Sequence, residues 1–219
     1  MNCLICSKKL PDQASWRSLF MNDLNEAACK KCKAEFEAVS GINCSYCNAP
    51  GEGLCRDCRH WEQTHYAGLI VKGRCLYRYN EAMQNYLHQY KFLQDAILAE
   101  VFAKELHEAL SGSRSTIVPI PMNPKKLKER TFPQVDLLLE SARVPFKHFL
   151  LKNEEVQSKK SRIERVSSAP LFCWNGELLP KKIILVDDLY TTGTTMRHAA
   201  KVLKDAGAEE IELFSLIRG

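Results

Sequence analysis

The stretch from Ile183 to Thr195, Ile-Ile-Leu-Val-Asp-Asp-Leu-Tyr-Thr-Thr-Gly-Thr-Thr, constrains the fold of this chain more than any other. Its four leading apolar residues, two of them β-branched isoleucines, read as a buried parallel strand. Asp187 and Asp188 fall where that strand is expected to end. Thr191, Thr192, Gly193, Thr194 and Thr195 then make a turn of small residues, and a helical pattern follows with Met196, Ala199, Ala200 and Leu203 on one face. This order suits a phosphorylated sugar. The helix N-terminus, the turn N–H groups and the threonine hydroxyls attract a phosphate. Gly193 permits close backbone approach. The two carboxylates can accept hydrogen bonds from vicinal ribose hydroxyls, whereas without a ligand they repel each other.

The cysteines constrain the other end. Eight of the ten lie before residue 60, as the pairs Cys3/Cys6, Cys29/Cys32, Cys44/Cys47 and Cys55/Cys58. Each Cys-x-x-Cys pair can place two thiolates on one ion, and two pairs complete a tetrahedral S₄ site that suits zinc. Pairing in sequence order gives Cys3, Cys6, Cys29 and Cys32 for one ion and Cys44, Cys47, Cys55 and Cys58 for a second. An interleaved pairing fits the spacing too. So short a segment has little core of its own, and metal binding of roughly 10–16 kcal/mol would supply its folding energy. Four thiolates per ion leave no open position for water, so the expected role is structural. Cys75 and Cys173 stand alone and read as buried thiols used as small apolar residues.

Nothing in the sequence points to secretion, so a disulfide framework is not expected. No apolar run approaches the ~20 residues that span a bilayer, and the N-terminus lacks a signal-peptide core. The expected location is cytoplasmic. The net charge of +5 permits polyanion binding without demanding it.

Between these ends the pattern alternates. Residues 66–80 read as one strand or a hairpin turning at Gly73. Helices are expected over 81–92 and 95–110, the second with a stripe of Leu98, Val101, Phe102, Leu106 and Leu110. Residues 116–120 read as a short strand. A basic loop follows, with Lys125, Lys126, Lys128 and Arg130, placed to neutralise a diphosphate. A helix over 133–143 and a strand over 145–151 come next. The polar, basic run containing Gln157, Lys159, Lys160, Arg162 and Arg165 suits a mobile lid over a polyanion, and a plain exposed helix or linker fits the same composition. Residues 169–172 suit a short strand, and 210–217 close the sheet. Alternating strands and helices imply an α/β fold with a parallel sheet and a ligand at the strand carboxyl ends.

The Ile183–Thr195 string resembles the signature of type I phosphoribosyltransferases. In that family it binds 5-phosphoribosyl-1-pyrophosphate (PRPP) with magnesium. The resemblance implies that Asp187 and Asp188 meet the ribose hydroxyls and that Thr191 to Thr195 wrap the 5′-phosphate. Taken with the Cys-x-x-Cys pairs, Tyr90-Lys91-Phe92 with Asp95, Val118-Pro119-Ile120-Pro121, Phe132, Gln134 and the segment from Gln157 to Arg165, the whole chain resembles the ComF family, in its ComFC-type competence branch. The implied architecture is a double zinc ribbon over residues 1–62 and a type I phosphoribosyltransferase-like domain over 63–219. Arg130-Thr131-Phe132-Pro133-Gln134 departs from the family's Arg-Gly-Phe-Asn-Gln, which stiffens the loop and removes a donor. Enzymes of the hypoxanthine type carry a carboxylate where this chain has Thr191, which argues against that substrate class.

What the resemblance implies about function is a competence protein for natural transformation. It would handle incoming single-stranded DNA beside a ComFA-type ATPase, with recruitment to the membrane-associated uptake machinery and a PRPP/Mg site. The basic residues could track a DNA backbone, with Phe132 or Tyr190 stacking bases. The alternative is an active phosphoribosyltransferase that transfers phosphoribose to a base, nucleotide or DNA acceptor. A zinc-stabilised adaptor with a degenerate site is the third reading.

Overall fold

The central sheet has four strands, all parallel, in the order β1-β6-β5-β2. These are β1 (Lys72–Arg78), β2 (Thr116–Pro119), β5 (Lys182–Tyr190) and β6 (Glu210–Arg218). A two-stranded antiparallel ribbon, β3 (Leu150–Lys152) with β4 (Phe172–Trp174), lies apart from it. The helices are α1 (Lys30–Ala34), α2 (Arg56–Trp61), α3 (Glu81–Phe92), α4 (Ala103–Leu110), α5 (Pro124–Arg130), α6 (Gln134–Ser141) and α7 (Thr194–Asp205). A 3₁₀ helix, Ala96–Phe102, leads into α4. This computed structural model describes residues 1–11, 24–152 and 171–219. Gln157, Lys159, Lys160, Arg162 and Arg165 lie outside the described residues.

Both faces of the sheet are buried, as the uninterrupted apolar run of β5 requires. On one face Ile184, Val186, Phe214 and Leu216 pack with α3, the 3₁₀ helix, α4 and α6. On the other, Ile183, Leu185, Ile211 and Leu213 pack with α7 through Met196, Ala199, Ala200 and Leu203, the four residues of its expected face. Cysteines of the N-terminal segment join both clusters: Cys3 and Cys32 the first, Cys44, Cys47 and Cys58 the second.

Several boundaries differ from expectation for physical reasons. Residues 72–78 are one strand, and Gly73 lies inside it rather than in a turn. A Cβ there would sit 2.1 Å from the Tyr46 carbonyl oxygen, so the absent side chain serves a close backbone contact. Residues 95–110 split into a 3₁₀ helix and α4, and the tighter segment buries Leu98, Ala99, Val101 and Phe102. Strand β6 is interior, between β1 and β5, rather than closing an edge.

The basic segment after β2 is a helix and not a loop. The Asn123 side chain accepts from Lys125 N–H at 2.9 Å, and Pro124 occupies the first turn. The helix ends on Thr131, whose φ of +66° lies in the left-handed region. That is the position at which the family has glycine, the residue that adopts this conformation without strain. Cys75 is buried as expected, but Cys173 is exposed on β4.

The outer side of β1 is occupied by the N-terminal segment. Val39 N–H donates to Leu76 O at 2.8 Å, Arg78 N–H to Glu37 O at 2.8 Å, and Gly73 N–H to Ser45 O at 3.0 Å. At the opposite edge, Lys147 N–H donates to Ile117 O of β2 at 3.0 Å.

Candidate functional site

Asp187 and Asp188 lie within β5, which stays paired with β6 through Tyr190 opposite Arg218. The pair therefore sits just inside the carboxyl end of a central strand, where ligands of parallel sheets bind. Asp188 N–H donates to Asp187 Oδ1 at 2.9 Å, which turns one carboxylate back onto the main chain. Asp188 is buried, and its Oδ2 lies 2.6 Å from Lys91 Nζ on α3. Burial raises the Asp187 carboxyl to about 7, and the Asp188 charge adds to the rise; Lys91 and Lys152 pull against it. Lys152 is itself lowered by burial, with Asp187 opposing that shift and Lys126 reinforcing it. Two lysines from α3 and β3 thus face an acid pair whose mutual repulsion a proton or a cation would relieve.

Gly193, at φ +84°, is the N-cap of α7, and no side chain caps that helix. Its first N–H groups are therefore open to an anion. Thr191, Thr192 and Thr194 are exposed and Thr195 is partly so, and the Thr192 and Thr194 hydroxyls lie 3.0 Å apart. A Cβ on Gly193 would meet the Tyr190 hydroxyl at 2.1 Å, so only glycine fits the turn. Tyr190 is itself buried, which removes it as a base-stacking residue.

The basic residues are brought only partly to this place. Lys125 and Lys126 are exposed on α5, and Lys126 is near enough to act on Lys152. Arg130 is engaged elsewhere, donating to Gln134 Oε1 at 2.7 Å and lying 5.5 Å from the Phe92 ring. Phe132 packs on Tyr90 at 5.2 Å, and Tyr90 donates to Gln134 O at 2.7 Å.

Lys91 entered the sequence reading only as part of a resemblance and Lys152 not at all. Lys91 stands beside two buried tyrosines at the end of an amphipathic helix, a faint signal for a buried cation. Lys152 follows two leucines in a three-residue strand and gave none.

The eight cysteines form two groups in sequence order, Cys3/Cys6/Cys29/Cys32 and Cys44/Cys47/Cys55/Cys58, each with all sulfurs within 4.8 Å of one another. The two groups share a local construction. Cys3 N–H donates to Lys8 O and Cys44 N–H to Ala49 O, both at 2.8 Å, with Ser7 and Asn48 at positive φ. Cys29 and Cys55 are each the N-cap of a short helix, α1 and α2. Main-chain N–H groups already point at sulfur, Cys29 N–H to Cys3 Sγ at 3.3 Å and Cys58 N–H to Cys55 Sγ at 3.4 Å. Such donors stabilise thiolates, and four sulfurs at this spacing fit a metal ion.

A parallel sheet with an acid pair and an uncapped helix at its carboxyl edge defines a phosphoribosyl transferase type of domain. Residues 89–219 match the family model described as phosphoribosyl transferase domain. The chain as a whole belongs to the ComFC family of competence proteins. It is 36% identical over 224 residues to "Competence protein ComFC" of Streptococcus pneumoniae, covering 100% of both chains. It is 34% identical over 226 residues to "Competence protein ComFC" of Bacillus subtilis, covering 99% of this chain and 94% of that one. "Competence protein F" of Haemophilus influenzae is 22% identical over 211 residues, covering 87% and 90%. Among the described residues no helix is long and apolar enough to cross a membrane.

Proposed function

We propose that this chain is a competence protein that handles incoming single-stranded DNA on the cytoplasmic side. Its phosphoribosyltransferase-type site would bind PRPP with magnesium. The observation that carries the reading is the β5–α7 unit. It holds an acid pair, Asp188 buried and Asp187 half-buried, and an uncapped helix N-terminus on one continuous segment.

Asp187 and Asp188 accept the ribose hydroxyls, and Thr191, Thr192, Gly193, Thr194 and Thr195 cradle the 5′-phosphate. Lys126 and Lys152 stand on the side where a diphosphate adds negative charge. Each cysteine tetrad holds one zinc ion in a structural role. Magnesium enters with PRPP and would supply charge neutralisation for the diphosphate. Before it arrives, Lys91 holds Asp188, and burial together with the Asp188 charge keeps the Asp187 carboxyl raised.

Lys125, Lys126 and Lys128 are exposed along α5, beside the exposed Phe92, Leu93 and Leu127. A basic helix flanked by apolar side chains suits a single strand, which offers phosphates and unstacked bases. A ComFA-type ATPase is the expected protein partner, from the family resemblance.

Calorimetric titration of PRPP with magnesium into the zinc-loaded protein tests the site, beside the double variant Asp187→Asn/Asp188→Asn. Saturable binding that the variant lacks supports the reading; no binding to the unaltered chain refutes it. The second reading is an active transferase. It is favoured by the Asp187 carboxyl, which titrates where it can take up a proton at neutral pH. Its test is pyrophosphate release across a panel of base, nucleotide and DNA acceptors.

A further inference from the structure

The second cysteine tetrad reaches the phosphate loop through one side chain. Helix α2 begins at Cys55 and Cys58, two of the four sulfur ligands, and ends at Trp61. The Trp61 indole Nε1–H donates to Thr192 O at 2.8 Å, across 131 positions of sequence. The next residue, Glu62, accepts from Arg197 Nη1 at 3.0 Å. Arg197 lies on α7, one turn beyond Gly193, and is fully buried. Its guanidinium lies 5.7 Å from the Trp61 ring and 5.9 Å from the Tyr46 ring, and Tyr46 adjoins ligand Cys47. Tyr66 packs edge-on to Trp61 at 5.2 Å and meets His198 of α7 through its hydroxyl at 3.0 Å. A buried arginine needs such partners, and here Glu62, Trp61 and Tyr46 come from the metal-binding segment, with Tyr66 O, 3.4 Å from Arg197 Nη1, just beyond it.

We infer that Trp61 is a positioning residue for the 5′-phosphate loop, and that metal at the Cys44/Cys47/Cys55/Cys58 tetrad sets the loop's geometry through α2. The inference rests on the reading of Thr191 to Thr195 as a phosphate cradle. The Thr192 carbonyl is a main-chain acceptor inside that cradle. Holding it with an indole N–H fixes the peptide plane, and with it the direction of the N–H groups that face the phosphate. The metal anchors the start of α2, and the six-residue helix carries that anchor to the loop. Because linkage is reciprocal, a ligand that needs the loop in place must strengthen metal retention at this tetrad. Among the described residues the first tetrad shows no such route: its Lys33 and Phe36 contact Val101, Glu105, Tyr77, Tyr86 and Phe102.

The test uses the full chain with both metals and two probes. Ribose 5-phosphate needs the loop; magnesium pyrophosphate does not. Trp61→Phe keeps an aromatic ring beside Arg197 and removes the donor, with some loss of ring area. It is expected to keep two metals per chain and its melting temperature, to bind ribose 5-phosphate about three- to ten-fold more weakly, and to bind magnesium pyrophosphate unchanged. Saturating ribose 5-phosphate is expected to slow chelator extraction of one of the two metals in the unaltered chain, and to lose that effect in the variant. Unchanged ribose 5-phosphate affinity in Trp61→Phe, or equal weakening of both probes, overturns the positioning role and leaves the phosphate cradle standing. No ribose 5-phosphate binding by the unaltered chain overturns the cradle and the positioning role together.

Discussion

The two cysteine tetrads are built alike and placed differently. Each opens on a knuckle with a residue at positive φ and closes on a helix that a cysteine caps. The first packs on the face of the sheet that carries α3, where the Phe36 ring packs against both Tyr86 and Phe102 and Asn80, the cap of α3, donates to Glu35 O at 2.8 Å. Through α3 it stands behind Lys91 and so behind the acid pair. The second packs on the face that carries α7 and stands behind the phosphate loop. One motif, used twice, backs the two halves of the proposed ligand site. Similar local chemistry thus does not fix what a metal centre supports; the layer it packs against does.

The largest expected effect breaks this symmetry outright. Removing metal from the second tetrad, by Cys58→Ala or by chelation, takes away a fully buried ligand from the core shared with β5 and α7. We expect a loss of several kcal/mol, on the scale of structural zinc sites of about 10–16 kcal/mol. Thermal unfolding with metal quantification reads it. The same substitution at exposed Cys6 should cost clearly less.

Lys91→Ala tests the first tetrad's half. It leaves Asp188 buried without its cation, at a cost of about 3–5 kcal/mol, measured by denaturant unfolding. If the half-site division holds, ribose 5-phosphate binding in this variant changes through the carboxylates and not through the loop. A further rise of the Asp187 titration should accompany it, since Lys91 is one of the groups holding that carboxyl down.

Asp187→Asn is smaller and pH-dependent. The folded carboxyl titrates near 7 against 3.8 for the ordinary group. Between those values the folded chain holds a proton that the unfolded chain has lost, so stability falls as pH rises through that window. The amide has no such loss. The variant should therefore be more stable than the parent by roughly 1–3 kcal/mol at pH 8, with the difference vanishing near pH 4. Melting temperatures at the two pH values decide it.

The smallest effect is on reactivity rather than stability. Cys6 is exposed and Cys58 is buried. Mild alkylation followed by peptide mapping should label Cys6 first. Equal labelling would show that both tetrads open together.

How much of this was legible beforehand depended on how local each signal is. The β5–α7 unit could be read because its strand, turn and helix each carry their own pattern within thirteen residues and the helix that follows. The parallel sheet followed from alternation. Sulfur spacing gave the metal ligands, though only the folded chain selected sequential over interleaved pairing. Asn123-Pro124 was a local helix start that a cluster of lysines obscured. Trp61, Lys91, Lys152 and Arg197 were hidden for a different reason. Each acts on a residue dozens of positions away or more, and no periodicity records such a contact.

Gly73 and the strand around it have one more consequence. Strand β1 is an edge of the sheet, and an open edge is a template for pairing with another molecule. Here the template is already taken by main-chain groups of Glu37 and Val39, which lie between the two tetrads, and of Ser45, inside the second. The N-terminal segment is thus a guard against self-association as well as a frame for the site. Its position holds only while the sulfur ligands are held. A chain stripped of metal should lose colloidal stability before it loses its sheet, sticking to its own copies along β1.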